Sequence, residues 1–383
     1  MNEDEQQQQE EEEEEEEEEE SSDYQGYTYQ GERADIAHIN ENFPLLAQQY
    51  RLLRKIGEGT FSVVFKAQDL LGRTLKENRW QLPPASLRYM AIKCIHVTSA
   101  PERIHSEISK LVALRRAPSV APMLDAFRYE DRVAIVLPYI KHIDFRSFYP
   151  TCSLDDIRHY MYALLLSLRD THKAGIVHRD VKPTNFLYDH HRRRGFLVDF
   201  GLAQVRRGGI HKPLYPPTPS TIVGTPRSES NQLGYLLRDS RPTVRADRAG
   251  TRGFRPPEVL LKVEHQTTAL DIWAAGVIML CLLTGRYPFF NSSSDAEALL
   301  EITCVHGQMA IKTMAAKYHR SFHCTIPSMR NHPTEFTRLI RLLNEDRPDF
   351  LDSKAIDLLE QLLKVDPAER VSAADALSHP FFV

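Results

Sequence analysis

Apolar positions along the chain change their spacing several times, and each spacing predicts a different kind of element. Alternating apolar residues on both sides of a glycine-rich turn, in RLLRKIGEGTFSVVFKAQD from Arg51, predict two antiparallel strands. Helical spacing through PERIHSEISKLVALRR predicts a helix over Pro101–Arg116. Strands are predicted at Ala121–Arg128 and Arg132–Leu137. The first part of the chain should therefore be a sheet with one helix.

The second part of the chain is predicted to be mainly helical. Ser153-Leu-Asp-Asp156 is a capping box that opens a helix, and Gly175 ends it. Ala269–Leu283 is apolar all round and predicts a buried central helix, too short for the roughly 20 residues that cross a bilayer. No membrane span is predicted. Residues 307–350 are expected to be loop-like.

One stretch between these elements carries groups suited to phosphoryl transfer. HRDVKPTN supplies an acid (Asp180), an ammonium (Lys182) and an amide (Asn185), and a short apolar strand then ends in DFG with a second acid, Asp199. A group that accepts a hydroxyl proton, a cation near the phosphoryl group and oxygen ligands for magnesium are what this reaction needs. The order and spacing of both motifs make a purely structural role a poor explanation.

These motifs resemble those of the protein kinase family. The lysine at position 182 of the catalytic loop is similar to that of the Ser/Thr branch rather than the Tyr branch. The resemblance implies an α+β, two-lobed kinase fold, with a small antiparallel β-sheet lobe carrying one key helix and a large, mainly helical lobe. The implied domains are a disordered acidic tail at 1–45, a small lobe at 46–140 and a large lobe at 141–383. Insertions are expected at about 69–89, 205–248 and 307–350.

The resemblance also implies ATP and Mg²⁺ as cofactors. Asp180 and Lys182 would be catalytic, and Asn185 and Asp199 would hold the metal ions. The residues expected to bind the nucleotide are those of the glycine-rich turn, the strand lysine with its helix glutamate, the hinge and the floor of the site: Ile56, Gly57, Glu58, Gly59, Val64, Ala91, Lys93, Glu107, Leu137, Tyr139, Ile140 and Leu187. Lys93 would pair with Glu107, and Leu137 would be the gatekeeper.

Two buried contacts are further expectations from the family. Asp271, the only charge in the apolar helix, would hold the backbone of the catalytic loop. Arg370 would form a buried ion pair with Glu258. Both roles are structural.

Charge is distributed very unevenly along the chain. The net charge of −4 includes 15 acids in residues 1–23, eleven of them in Glu10–Glu20; the other residues carry about +11. The block should be a disordered, solvated tail, although shielding of a basic groove is an alternative. A basic folded part favours acidic or phosphorylated partners. Five cysteines without CxxC spacing predict reduced thiols in the cytosol or nucleus, and no signal peptide is apparent.

The segment between DFG and AGTRGFRPPEVL is unusually long and basic. Residues 204–255 hold ten Lys and Arg against three acids, and Arg252 and Arg255 would border the substrate site. Arginine suits carboxylates and phosphates, so acidic or phosphorylated substrates are expected. Thr218 and Thr225, each before a proline, are candidate phosphorylation sites that Arg179 could contact.

Several stretches resemble the cell-division-cycle-seven kinases more closely, notably NFLY after the catalytic loop and GTRGFR before PPE. That resemblance implies a nuclear kinase that starts DNA replication, needs a regulatory subunit and phosphorylates minichromosome maintenance helicase subunits. No direct nucleic-acid contact is expected. The alternatives are an autonomous acidophilic or cell-cycle Ser/Thr kinase with other targets, and a pseudokinase scaffold, which intact catalytic motifs disfavour.

Overall fold

The computed structural model describes residues 30–59, 61–72, 88–205, 250–264 and 266–383. The described residues form two compact units, one within Met1–Ala100 and Met123–Tyr139, the other within Pro101–Pro122 and Ile140–Val383. The acidic block, nearly all of the predicted insertions at 69–89 and 205–248, and the candidate sites Thr218 and Thr225 lie outside the described residues. Within the described part, no helix is long and apolar enough to cross a membrane.

A five-stranded antiparallel sheet, in the order β1-β2-β3-β5-β4, is the centre of the first unit. Its strands are β1 (Tyr50–Glu58), β2 (Ser62–Asp69), β3 (Tyr89–Ile95), β4 (Asp125–Tyr129) and β5 (Arg132–Pro138). The predicted hairpin around the glycine-rich turn is confirmed as β1 and β2. The strand expected at Ala121–Arg128 begins later, at Asp125.

The two faces of this sheet have different chemistry. Cross-strand pairing places Val64 beside Lys93, and Ala91 beside Leu137, so these side chains share one face. Alternate residues in the same strands project to the other face, where Phe65 and the rest of an apolar cluster are buried. An apolar face of this size needs a covering layer.

Two short helices at the start of the described chain supply that layer. They are α1 (Gln30–Asn42) and α2 (Pro44–Gln49), and the cluster on the sheet face includes Phe43 and Leu46, with Ile36 and Ile39 packed against it. The prediction of a disordered tail over residues 1–45 is therefore wrong from Gln30 onward. Spaced apolar side chains give this segment surface to bury, which the Glu-rich block lacks.

Polar contacts attach α1 to the first strand as well. The main-chain N–H of Lys55 donates to the carboxylate of Glu32. The Lys55 ammonium lies 3.2 Å from Asp35 and 2.7 Å from Glu58. Helix α1 is thus attached to β1 by a hydrogen bond from a main-chain N–H to a carboxylate and by an ion pair.

Leu46→Ala should destabilise the first unit, because Leu46 is fully buried in the apolar cluster. Removing such a side chain leaves a cavity and costs about 2–5 kcal/mol. The neighbouring Leu45 is 63% exposed, so Leu45→Ala is a matched control with little expected effect. Hydrogen exchange of the β1 and β2 amides measures the difference, and equal protection in both variants would contradict this packing.

The second unit is mainly helical, as expected. Its helices are α3 (Pro101–Ala113), α4 (Phe145–Phe148), α5 (Leu154–Lys173), α6 (Pro257–Leu260), α7 (Ala269–Thr284), α8 (Asp295–His306), α9 (Gln308–Lys317), α10 (Phe336–Leu343), α11 (Ser353–Leu362) and α12 (Ala373–Ala376). Its strand pairs are β6 (Ile176–Val177) with β9 (Gln204–Val205), and β7 (Phe186–Asp189) with β8 (Arg194–Leu197). Every residue of α7 is buried, which confirms it as the central helix.

The loop-like conformation expected for residues 307–350 is wrong, because α9 and α10 lie within them. Helix α9 buries Ile311 and Met314, and α10 buries Phe336 and Ile340, one turn apart. Each helix is short, and its apolar side chains are separated by basic ones, which hid the periodicity. Whether this segment is an insertion stays a prediction.

Candidate active site

Helix α5 leads the chain into the predicted catalytic loop. The predicted capping box is present: the Ser153 side chain accepts from the Asp156 N–H, and the Asp156 carboxylate accepts from the Ser153 N–H at 2.8 Å. The chain leaves α5 at Gly175, whose φ of 73° is a conformation that glycine adopts without strain. It then passes through β6 into HRDVKPTN.

The loop itself is fixed by the central helix. The fully buried Asp271 of α7 accepts the main-chain N–H groups of His178 and Arg179, both at 2.8 Å, and faces His172 Nε2 at 2.9 Å. Burial alone would raise the pKa of Asp271, but the bond to His172, nearby histidine charge and the Arg179 N–H outweigh it and lower the pKa. The expected structural role of Asp271 is confirmed by these bonds.

Of the four sequence-predicted catalytic and metal-binding residues, Lys182 and Asn185 both contact Asp180. Lys182 Nζ lies 2.9 Å from Asp180 Oδ2. Asn185 Nδ2 donates to the main-chain oxygen of Asp180 at 2.9 Å and to its Oδ2 at 3.1 Å. Asp180 and Asn185 are buried, and the carboxylate is thus held in one orientation by its neighbours.

A fourth side chain at this site, Thr251, was missed by the sequence reasoning. Its N–H and its hydroxyl both donate to Asp180 Oδ1, at 2.8 and 2.7 Å, and its oxygen accepts from Lys182 Nζ at 3.0 Å. Gly250 makes this approach possible: its φ is 101°, and a Cβ there would lie 2.4 Å from the Arg179 oxygen. The Gly-Thr pair in AGTRGF was the available signal.

Asp199 occupies the adjacent turn. It has a left-handed backbone, with φ of 63°, and its Oδ1 accepts from the Gly201 N–H at 3.3 Å. Phe200 is fully buried, with its ring 4.9 Å from that of the buried His178, so His178 packs against this turn. Val198 N–H donates to the main-chain oxygen of Asn185 at 3.0 Å, so the metal-ligand candidates Asn185 and Asp199 lie on adjoining segments.

This donor set fits magnesium. Mg²⁺ prefers oxygen ligands, often one or two carboxylates completed by water and substrate phosphate. Because the Asn185 nitrogen is used by Asp180, its Oδ1 is the atom that remains for a cation. Together with the Asp199 carboxylate this would give two oxygen donors. Their role as metal ligands stays a prediction.

Helix α3 packs against the same turn. Glu107 is buried, and its Oε2 lies 3.3 Å from the position of a Cβ built on Gly201. The two residues expected to pair, Lys93 and Glu107, belong to different units, and their pairing stays a prediction. In the first unit, Val64, Ala91, Lys93 and Leu137 share one sheet face as described above.

The other predicted nucleotide contacts are placed but untested. Ile56, Gly57, Glu58 and Gly59 lie at the β1 end of the hairpin, and Ile140 and Leu187 lie in the second unit, Leu187 within β7. The N–H of Tyr139 donates to the main-chain oxygen of Tyr89 at 3.0 Å, so that N–H group is committed to the sheet. Any main-chain contact of the predicted hinge, Pro138 to Ile140, to adenine must therefore come from the groups on either side of the Tyr139 N–H.

The arginines expected near the substrate have different surroundings. Arg255 is bound to the Gly250 oxygen and to Asp295, both at 2.8 Å, and only 19% of its side chain is exposed. Arg252 is 41% exposed, with Nε 3.6 Å from Asp295. Arg179 donates to the side-chain oxygens of Gln204 and Gln266, and its coupling to a phosphorylated threonine stays a prediction. Arg252 is the more accessible of the two substrate-site candidates.

A buried acid bonded to a lysine and an amide, followed by Asp-Phe-Gly on a central-helix scaffold, defines a protein kinase. The family model of the protein kinase domain matches residues 50–382, most of the chain. The chain therefore belongs to the protein kinase family. Enzymes of this family use ATP and Mg²⁺.

Similar proteins narrow the type of kinase. The cell cycle serine/threonine-protein kinase hsk1 of Schizosaccharomyces pombe is 38% identical over 91% of this chain and 76% of its own length. The probable cell division control protein 7 homolog 1 of Encephalitozoon cuniculi is 39% identical over 91% of this chain and 95% of its own. The S. pombe cell cycle protein kinase spo4 is 36% identical over 92% and 89%. This chain is a serine/threonine kinase of the cell-division-cycle-seven type.

Thr251→Ala should lower kcat because it removes the hydroxyl that joins Asp180 to Lys182. We expect a loss of roughly 10–100-fold with KM changed little, since positioning of the acid acts mainly in the transition state. Thr251→Ser keeps the hydroxyl and should restore most of the rate. Steady-state kinetics on a serine peptide compare the three proteins, and an unchanged kcat in Thr251→Ala would contradict this role.

Proposed function

We propose that this kinase phosphorylates serine and threonine beside acidic or already phosphorylated residues. The observation that carries the proposal is the position of Arg252. Its partly exposed guanidinium follows Thr251, which is bonded to the predicted catalytic acid. A guanidinium there would meet a carboxylate or phosphate one or two residues from the accepting hydroxyl.

The residues around Asp180 support direct transfer of the γ-phosphoryl group of ATP. The carboxylate, oriented by Thr251 and Asn185, would accept the proton of the substrate hydroxyl. Lys182, 2.9 Å from that carboxylate, would offset negative charge on the phosphoryl oxygens. Magnesium, when bound, would supply further charge neutralisation at the phosphates. Positioning and electrostatics would then provide most of the rate acceleration.

The context preference is tested with paired peptides. We expect the wild-type enzyme to favour a serine followed by glutamate or phosphoserine over one followed by lysine, by about tenfold or more in kcat/KM. Arg252→Gln should reduce this preference, and Arg116→Gln, which removes an exposed arginine elsewhere in the unit, should not. A lysine preference, or a preference untouched in Arg252→Gln, would overturn the proposal.

We further propose a nuclear role at replication origins, with a regulatory subunit and helicase subunits as substrates. The similarity to cell-cycle kinases of the cell-division-cycle-seven type supports this role. The enzyme purified alone from a bacterial host should then have far lower specific activity than the enzyme isolated with its partners from its own cells. Equal activity of the two preparations would instead favour an autonomous acidophilic kinase.

A further inference from the structure

A second concave site lies in the helical unit, at the C-terminal end of α8. It is an open pocket of about 300 Å³. Arg330, Arg338 and the hydroxyl residue Thr334 form its polar part, and Met329 and Leu342 its apolar rim. Leu342 is 58% exposed at the end of α10. The pocket therefore offers two cations and an apolar edge to solvent.

Main-chain bonds hold the segment that carries these residues. Thr334 N–H donates to the Val305 oxygen at 2.8 Å, and Gln308 N–H donates to the Arg330 oxygen at 2.9 Å. Gly307 turns the chain between α8 and α9 with φ of 78°, and a Cβ there would lie 2.5 Å from the His332 main chain. The pocket is formed by fixed backbone, which limits the ordering cost of binding.

Charge around the pocket favours an anion. Residues 307–343 contain six Lys and Arg and one acid, Glu335, and α8 adds one carboxylate, that of Glu301 near Cys304. Lys317 is paired with Asp366, and Arg320 donates to the Lys262 oxygen. In the described ranges, by contrast, no carboxylate forms an ion pair with Arg330 or Arg338. Two guanidinium groups beside a hydroxyl can bind a phosphate dianion with several charge-assisted bonds.

Helix α8 links this pocket to the catalytic centre. Asp295, at its start, is bonded to Arg255, which also donates to the oxygen of Gly250 beside Thr251. Cys304 of the pocket lies nine residues further along the helix, about 14 Å at 1.5 Å per residue. The pocket is thus on the order of 20–30 Å from Asp180, a distance that about six to nine residues of extended peptide can span.

We propose that this pocket docks a phosphorylated serine or threonine of the protein substrate, with an adjacent apolar side chain on the rim. One substrate would then occupy both sites, with its phosphorylated residue here and its accepting hydroxyl at Asp180. The proposal deepens the proposed function, since it adds a second, distant recognition point. The chain's own Glu10–Glu20 is a rival occupant, because it too is anionic; it has no apolar residue for the rim.

Binding without ATP tests the pocket separately from catalysis. The probe is a fluorescein-labelled heptapeptide with one phosphoserine followed by leucine, measured by anisotropy against its unphosphorylated twin on the full chain. We expect the phosphopeptide to bind at least about tenfold more tightly, and Arg330→Gln/Arg338→Gln to abolish that difference. Arg341→Gln is the matched control, an exposed arginine of α10 that does not line the pocket.

Kinetics then test whether one substrate uses both sites. Peptides with a phosphoserine about eight residues before or after the accepting serine are compared with unphosphorylated twins. For one orientation we expect KM to fall about fivefold or more at unchanged kcat, and the double variant to lose this advantage. Failure of all peptide phosphorylation would contradict the proposed function while leaving the binding result to decide the pocket.

Several outcomes would overturn the docking proposal. One is equal phosphopeptide affinity in the wild type and in the double variant; another is an equal loss in Arg341→Gln. A third outcome concerns a variant that lacks residues 1–22. If that deletion raises phosphopeptide affinity about tenfold, and only when Arg330 and Arg338 are present, the pocket belongs to the acidic block of the chain itself.

Discussion

Asp180→Asn is expected to lower kcat by roughly three orders of magnitude while the protein stays folded. In the wild type, Oδ1 accepts two bonds from Thr251, and Oδ2 faces the donors of Lys182 and Asn185. An asparagine places an N–H₂ group against donors and cannot take up the proton of a substrate hydroxyl. General-base contributions of about 10²–10⁴ are usual for such groups.

The matched control for this variant is Asp349→Asn, an exposed carboxylate of the same unit, which should leave kcat unchanged. Steady-state phosphorylation of a serine peptide gives the rates. Tryptophan fluorescence, to which Trp273, fully buried in α7, contributes, reports whether the unit is intact. A kcat of Asp180→Asn within tenfold of the wild-type value would contradict the role of Asp180 as the group that accepts the hydroxyl proton.

Arg370→Ala should have the largest effect on stability. Arg370 donates to both carboxylate oxygens of Glu258, at 2.9 and 3.2 Å, and the two side chains are 0% and 2% exposed. It also donates to the Ala269 oxygen at 2.6 Å, and its guanidinium lies 5.1 Å from the ring of Trp273. Removing it leaves a buried carboxylate without its counter-charge, which costs about 3–5 kcal/mol.

Chemical denaturation followed by tryptophan fluorescence measures this loss. The double variant Glu258→Gln/Arg370→Met removes both charges of this pair and should recover part of the stability. Arg192→Ala removes the exposed partner of a surface ion pair with Asp189, whose own side chain is 14% exposed, and should cost about 1 kcal/mol. A loss for Arg370→Ala no larger than that of Arg192→Ala would contradict the assigned role of the buried pair.

The sequence was most informative where a motif is local. Asp180, Lys182 and Asn185 lie within six residues, so their meeting follows from the fold of one loop. The capping box of Ser153 and Asp156 is similarly local. The buried contacts of Asp271 and of Arg370 with Glu258 span long stretches of chain, and they were expected only through the family resemblance.

The contact of Thr251 with Asp180 depends on backbone geometry far away in sequence and was not predicted. Thr251 reaches Asp180 across 71 residues, and only the positive φ of Gly250 and its close approach to Arg179 allow it. No periodicity or composition encodes such a contact. A Gly-Thr pair identifies it only after the catalytic loop has been placed.

Composition misled the reasoning at two helical segments. Because of the fifteen acids of residues 1–23, the predicted tail was extended over residues 30–45. In the structure, Phe43 and the neighbouring apolar residues cover the sheet. Basic residues and histidines led to the prediction of a loop where α9 and α10 lie. In both cases a few well-spaced apolar side chains outweigh the average polarity, because burial is decided side chain by side chain.

A peptide that offers serine, threonine and tyrosine in the same acidic context is the most direct test of the assigned activity. It is incubated with ATP, Mg²⁺ and the wild-type enzyme isolated from its own cells, and mass spectrometry locates the phosphate. We expect phosphate on serine and threonine and none when Asp180→Asn replaces the wild type. Phosphate confined to tyrosine would contradict a serine/threonine kinase. No transfer at all by an enzyme that still binds ATP would contradict it too and would favour a scaffold.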